Sequence, residues 1–145
     1  MTIRTAGPGD LEALLGLYTH LHDNPSPEID GRIRGIWGSI MSDPNHQILL
    51  GVKDGEAVSS CVLLIVPNLT RGQRPYALIE NVVTHAAHRE KGYGSRVLAR
   101  ARDLAQEAGC YKIMLMTGAK EESTLRFYGH AGYNRDDKTA FVMWL

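Results

Sequence analysis

His88-Arg89-Glu90-Lys91-Gly92-Tyr93-Gly94-Ser95 is the stretch on which the fold turns. It follows a strand-like run, Tyr76 to Thr84, and leads into a helical pattern that starts at about Tyr93. Gly92 and Gly94 allow positive φ and close approach of the backbone to a ligand. The helix start offers unpaired N–H groups and the positive end of the helix dipole. Together these make an anion site suited to phosphate, to which Arg89 can add charge-assisted hydrogen bonds. The same glycines also suit a tight turn with no ligand at all. A Rossmann turn fits poorly, because Arg96-Val97 fills the stretch where a third glycine belongs. A P-loop fails for want of a closing Gly-Lys-Ser/Thr.

Downstream, Val97, Leu98, Ala101, Leu104, Ala105 and Ala108 share one face of the helix, and Gly109 stops it. Tyr111 to Thr117 reads as a buried strand, and Glu121 to Ala131 as a helix ended by Gly132. Lys138 to Trp144 reads as a closing strand. Upstream, Ile3-Arg4-Thr5 is a short strand, and Asp10 starts a helix carrying Leu11, Leu14, Leu15, Tyr18 and Leu21. A second helix is expected from Pro27 to Met41, although each glycine inside it costs roughly 1 kcal/mol against alanine. Gln47 to Val52 and Ala57 to Val66 flank an Asp54-Gly55 hairpin turn. The order gives an α/β (α+β) layout in a single domain over residues 1–145, with a mixed sheet and helices on its faces.

Sixteen basic residues balance 16 acidic ones, so charge gives no reason to expect a nucleic acid or an anionic membrane as partner. The longest apolar run, Cys61 to Val66, is far too short to span a bilayer. With no signal-peptide pattern at Met1, a cytoplasmic location is the expectation. Cys61 and Cys110 read as reduced thiols in apolar strands. His20-x-His22-Asp23 has the composition of a metal cluster but no partner group at matching spacing, so no metal is expected. Arg71 and Arg74 either grip an anionic substrate or sit in a solvated loop. His85 and His88 either relay a proton or sit in solvent. Trp37 reads as core ahead of a substrate platform.

Four segments in order carry a more specific signal. They are Ile79-Glu80-Asn81-Val82-Val83-Thr84, then His88 to Ser95, then Gly109-Cys110-Tyr111-Lys112-Ile113-Met114-Leu115, then Phe127-Tyr128-Gly129-His130-Ala131-Gly132-Tyr133. In this arrangement residues Tyr76 to Tyr133 resemble the GNAT superfamily of N-acetyltransferases. The resemblance implies the GNAT fold, a mostly antiparallel mixed sheet flanked by helices, with acetyl-CoA as cosubstrate. It also implies a primary amine as acceptor and a homodimer as the assembly.

Roles follow from the resemblance. The backbone at Val82 and Val83 would pair with the pantetheine arm as an added strand does. One amide, at Val83, would face the thioester carbonyl and stabilise its oxyanion. Arg89, Glu90, Lys91, Gly92, Tyr93, Gly94 and Ser95 would hold the pyrophosphate through their backbone. An alkylammonium with a pKa near 10 must lose a proton before it attacks. Glu80, two residues before Val82, is the candidate base. Tyr128 stands at the family's usual tyrosine position and would protonate the leaving thiolate. Glu80 also fits a structural salt bridge, and Tyr128 an aromatic packed on the sheet. The acceptor is a small-molecule amine such as an amino sugar phosphate or an aminoalkylphosphonate, with a protein lysine as the alternative. A sensor that binds acetyl-CoA without turnover is the rival class.

Overall fold

Runs of three to eleven residues pair into one five-stranded sheet in the computed structural model, which describes residues 1–22 and 24–145. The strands β1 (Thr2–Thr5), β2 (His46–Lys53), β3 (Glu56–Val66), β4 (Tyr76–Thr84) and β5 (Ile113–Leu115) lie side by side in chain order. The first four pair antiparallel, and β5 runs parallel to β4. Asp54 and Gly55 join β2 to β3 with φ of 51° and 85°. Positive φ at both central residues is what a two-residue hairpin turn needs for its twist to match the strands.

Both sheet faces are covered, so the central strands are apolar on both sides. Ile48, Leu50 and Val62 pack with Leu11 and Leu14 of α1 (Leu11–Tyr18) and Trp37 of α2 (Gly31–Ser42). Leu49, Cys61, Leu63 and Ile79 meet Val97, Leu98, Ala101 and Ala105 of α3 (Tyr93–Glu107) on the other face. α4 (Glu122–His130) adds Phe127 and Tyr128 to the edge of that second core. No helix among the described residues is long and apolar enough to cross a membrane.

Three elements differ from the sequence reading. α2 starts at Gly31 and not at Pro27, because the Asp30 carboxylate accepts the Ile33 N–H at 2.9 Å and so fixes the cap. Its buried residue is Trp37, whose indole N–H donates to the Pro8 carbonyl at 3.0 Å, while Ile36 faces solvent. β5 has three residues, half-buried, where seven buried ones were expected; its ladder with β4 covers only Ala77–Ile79. Lys138 to Trp144 forms no strand, and Phe141 to Leu145 is exposed.

Candidate active site

β4 breaks its ladder at Asn81. The register with β3 runs Val62 to Glu80 and then Ser60 to Val83, so Asn81 and Val82 together oppose Cys61. Asn81 has φ 49°, a left-handed conformation that asparagine tolerates better than most residues. This is a β-bulge, which bends a strand and re-aims its side chains. The Tyr18 hydroxyl reaches the Asn81 side chain from α1; burial pushes that phenol up to about 12, which keeps it neutral. Since β5 leaves β4 after Ile79, the strand beyond the bulge has an open edge.

The direction of that edge is fixed by neighbours. His85 N–H donates to the Val58 carbonyl at 2.9 Å, and the Val83 carbonyl accepts from Ser59 Oγ at 3.0 Å. Backbone groups two residues apart point the same way, so Val83 turns toward β3, and Val82 and Thr84 turn toward the opening. The Thr84 carbonyl accepts there from Arg89 Nε at 3.3 Å. The sequence reading placed the outward amide at Val83; the register places it at Val82, and Val83 contributes a buried side chain.

The glycine turn is held by its own charged side chains. Arg89 donates to the carbonyls of Thr84 and His20, the latter at 3.2 Å, and Lys91 Nζ donates to the Ala87 carbonyl at 2.8 Å. Gly92 caps α3 with φ 76°, and Glu90 before it has φ 60°. The first helical bond runs from Arg96 N–H to the Gly92 carbonyl, which leaves the N–H groups of Tyr93, Gly94 and Ser95 without helical partners. Gly94 is needed for contact: a Cβ there would lie 3.1 Å from Phe127 Cζ and 3.3 Å from Thr84 Oγ1.

These parts meet in a cleft of about 500 Å³. β4 supplies Val82, Val83 and Thr84; the turn supplies Arg89, Glu90 and Gly92 to Ser95; α4 supplies Ser123, Thr124, Phe127 and Tyr128. Lys91 and Glu80 do not line it. Glu80 is exposed on β4, near enough that its charge acts on Tyr128. Burial, with smaller contributions from Cys61 and Glu80, raises the Tyr128 phenol above its ordinary value. Its ring packs edge-on against Phe127 at 5.0 Å and Tyr133 at 6.4 Å.

The sequence pattern of the Acetyltransferase (GNAT) family matches residues 11–133. The chain belongs to this family. It is an N-acetyltransferase that uses acetyl-CoA. A solved structure of a putative acetyltransferase from Agrobacterium tumefaciens str. C58 is 39% identical over 100% of both chains, with a TM-score of 0.94. A glucosamine 6-phosphate N-acetyltransferase of Trypanosoma brucei brucei is 26% identical over 95% of this chain and 92% of its own. An aminoglycoside N(6')-acetyltransferase type 1 of Serratia marcescens is 24% identical over 91% of this chain and 90% of its own.

Other side chains of this GNAT protein take structural positions. Arg74 donates to the carbonyls of Gly109 and Cys110 at 3.1 and 3.0 Å, tying the end of α3 to the loop before β4. Arg71 lies over the Tyr111 ring at 5.6 Å. Cys61 is fully buried, and burial pushes its thiol up to about 12, which rules it out as a thiolate. His20, His85 and His88 lie in a row beside the turn, with ring centroids 4.0 and 5.4 Å apart, the first pair tilted and the second edge-on. Burial above all lowers His20 and His88, which favours their neutral forms. Among the described residues no cluster of His, Cys, Asp or Glu could hold a metal; Asp23 lies outside them.

Two features escaped the sequence reading. The Asn81 bulge had a signal, an asparagine inside a strand-like run. Ser123 had none, because its place in the cleft depends on how α4 lies against α3.

Proposed function

We propose that the chain moves the acetyl group of acetyl-CoA directly to a small primary amine within a ternary complex. The observation that carries this reading is the single cleft that joins the open edge of β4, the N-terminus of α3 and the Tyr128 phenol. The pantetheine arm would add to the β4 edge through Val82 and Thr84, and the pyrophosphate would rest on the free amides of Tyr93 to Ser95. Val82 N–H would polarise the thioester carbonyl and stabilise its oxyanion. Glu80 would take the ammonium proton, directly or through a water, and the neutral Tyr128 hydroxyl would deliver one to the thiolate sulfur. The inert Cys61 supports direct transfer over an acyl-cysteine route.

For the acceptor, the full-length similarity to enzymes named for an amino sugar phosphate and an aminoglycoside favours a small amine over a protein lysine. An aminoalkylphosphonate belongs in the same test. The experiment is CoA-thiol release with acetyl-CoA across glucosamine 6-phosphate, aminoglycosides, aminoalkylphosphonates and a lysine peptide. At least one small amine is expected to accelerate release. CoA binding without acceleration by any amine would leave a binding module in place of an enzyme.

A further inference from the structure

We propose that His20, in the turn just past α1, is a cofactor-binding residue whose Nε2 N–H donates to the pyrophosphate of CoA. The assignment rests on the reading of the cleft as the CoA site. His20 lines that cleft along with Arg89 and Gly92 to Ser95 of the glycine turn.

The turn's own cations are largely spent elsewhere. Lys91 does not line the cleft, and its Nζ donates to the Ala87 carbonyl at 2.8 Å. Arg89 lines it, but its guanidinium already donates to the carbonyls of Thr84 and His20 at 3.3 and 3.2 Å. Glu90, also on the wall, brings a negative charge that works against a phosphate. A pyrophosphate held by the turn alone would meet backbone amides and part of one guanidinium. A further donor from outside the turn answers that shortage, and His20 is placed to give it.

The side chain is fixed in the form that donates. Its Nδ1 accepts from the Ala86 N–H at 3.4 Å, so the neutral imidazole carries its proton on Nε2. Burial above all, then His85 and Arg89, lower the His20 pKa, which favours that neutral form. The ring lies 4.0 Å from that of His85, tilted by 47°, and the backbone N–H donates to the Leu17 carbonyl at 3.1 Å. Held in this way, the imidazole has little rotamer freedom left to lose when a ligand arrives. Among the described residues Nε2 meets no acceptor, whereas Nδ1 and the carbonyl are both engaged. The other two histidines differ. His85 has the same tautomer, set by the Ala87 N–H at 3.2 Å, but does not line the cleft. His88 lines it, yet its Nδ1 is buried with no partner among the described residues, so nothing sets its tautomer. His20 alone combines a place on the cleft with a proton fixed on Nε2.

The test is calorimetric titration with CoA and with 3′-dephospho-CoA, which keeps the pyrophosphate and lacks the ribose phosphate. His20→Asn keeps an oxygen near the Nδ1 position to accept from Ala86 but removes the Nε2 donor. It should weaken CoA by about 10- to 100-fold, the loss of one hydrogen bond to a charged group, and weaken 3′-dephospho-CoA by the same factor. His20→Gln carries an N–H where Nε2 stands and should recover most of that loss. His22→Asn, at an exposed histidine off the cleft, should bind as the wild type does. Equal affinities for the wild type and His20→Asn, a loss in His20→Gln as large as in His20→Asn, or a loss seen with CoA and absent with 3′-dephospho-CoA would each overturn the proposal. A wild type that binds no CoA would overturn the cofactor reading as well, whereas tight wild-type binding that His20→Asn retains overturns the role of His20 alone.

Discussion

A carboxylate at Glu80 and a phenol at Tyr128 face opposite demands at neutral pH: one must hold no proton and the other must keep its own. Burial against the sheet suits the second, raising the phenol above its ordinary value. Glu80→Gln is therefore expected to lower kcat by roughly 10²-fold, most at low pH where free amine is scarce, with CoA affinity unchanged. Equal pH–rate profiles for the two proteins would remove Glu80 as base. Tyr128→Phe keeps the ring and its contacts with Phe127 and Tyr133, so CoA binding should stay near normal while turnover drops by about 10²-fold. Weakened CoA binding with intact turnover would assign the ring to packing and deny it the proton.

The elements that build the cleft depend on close approach, and Gly94 brings α3 close to Thr84 of β4 and Phe127 of α4. A methyl there would meet Phe127 and Thr84, so Gly94→Ala should cost about 1–3 kcal/mol by denaturant midpoint and widen the cleft, weakening CoA binding. The row of three histidines gives a second check. The folded pKa values of His20 and His88 lie below the usual value of 6.5. Their contribution to stability is therefore complete above about pH 6.5 and is lost as pH falls through the folded values. His20→Gln should flatten that part of a stability-against-pH curve, and an unaltered curve would place the acid sensitivity elsewhere. At this scale the sequence was readable where local chemistry decides. β4 runs from Tyr76 to Thr84 as its apolar run implies, and α3 starts at Tyr93 and meets Gly109 at φ 78° as its glycines imply. It was unreadable where a partner decides. The length of β5 depends on where β4 turns away, and the bulge that turns it rests on one asparagine. The apolar pattern of Lys138 to Trp144 signals a strand, and none forms there.

Across the whole molecule, the cleft gathers β4, the start of α3 and the flank of α4, segments brought together only by folding. A ligand that spans them binds the native state and not the unfolded chain, so it must raise stability by mass action. The sheet sharpens this expectation, because β4 and β5 separate after Ile79 and, among the described residues, no strand pairs with β4 beyond that point on this side. A pantetheine arm laid along Val82 and Thr84 would supply the missing ladder, while the phosphates close the N-terminus of α3. CoA at a hundred times its Kd should therefore add about 2.7 kcal/mol, a rise in Tm on the order of 10 °C. ATP and NAD carry the adenosine and phosphates but have no arm to pair with β4, so they should give little of this shift. Equal stabilisation by ATP and CoA would mean that the glycine turn binds phosphate alone and that the open edge of β4 is not used. A CoA shift that Gly92→Ala removes, through strain at φ 76°, would tie the phosphate end of the ligand to the turn itself.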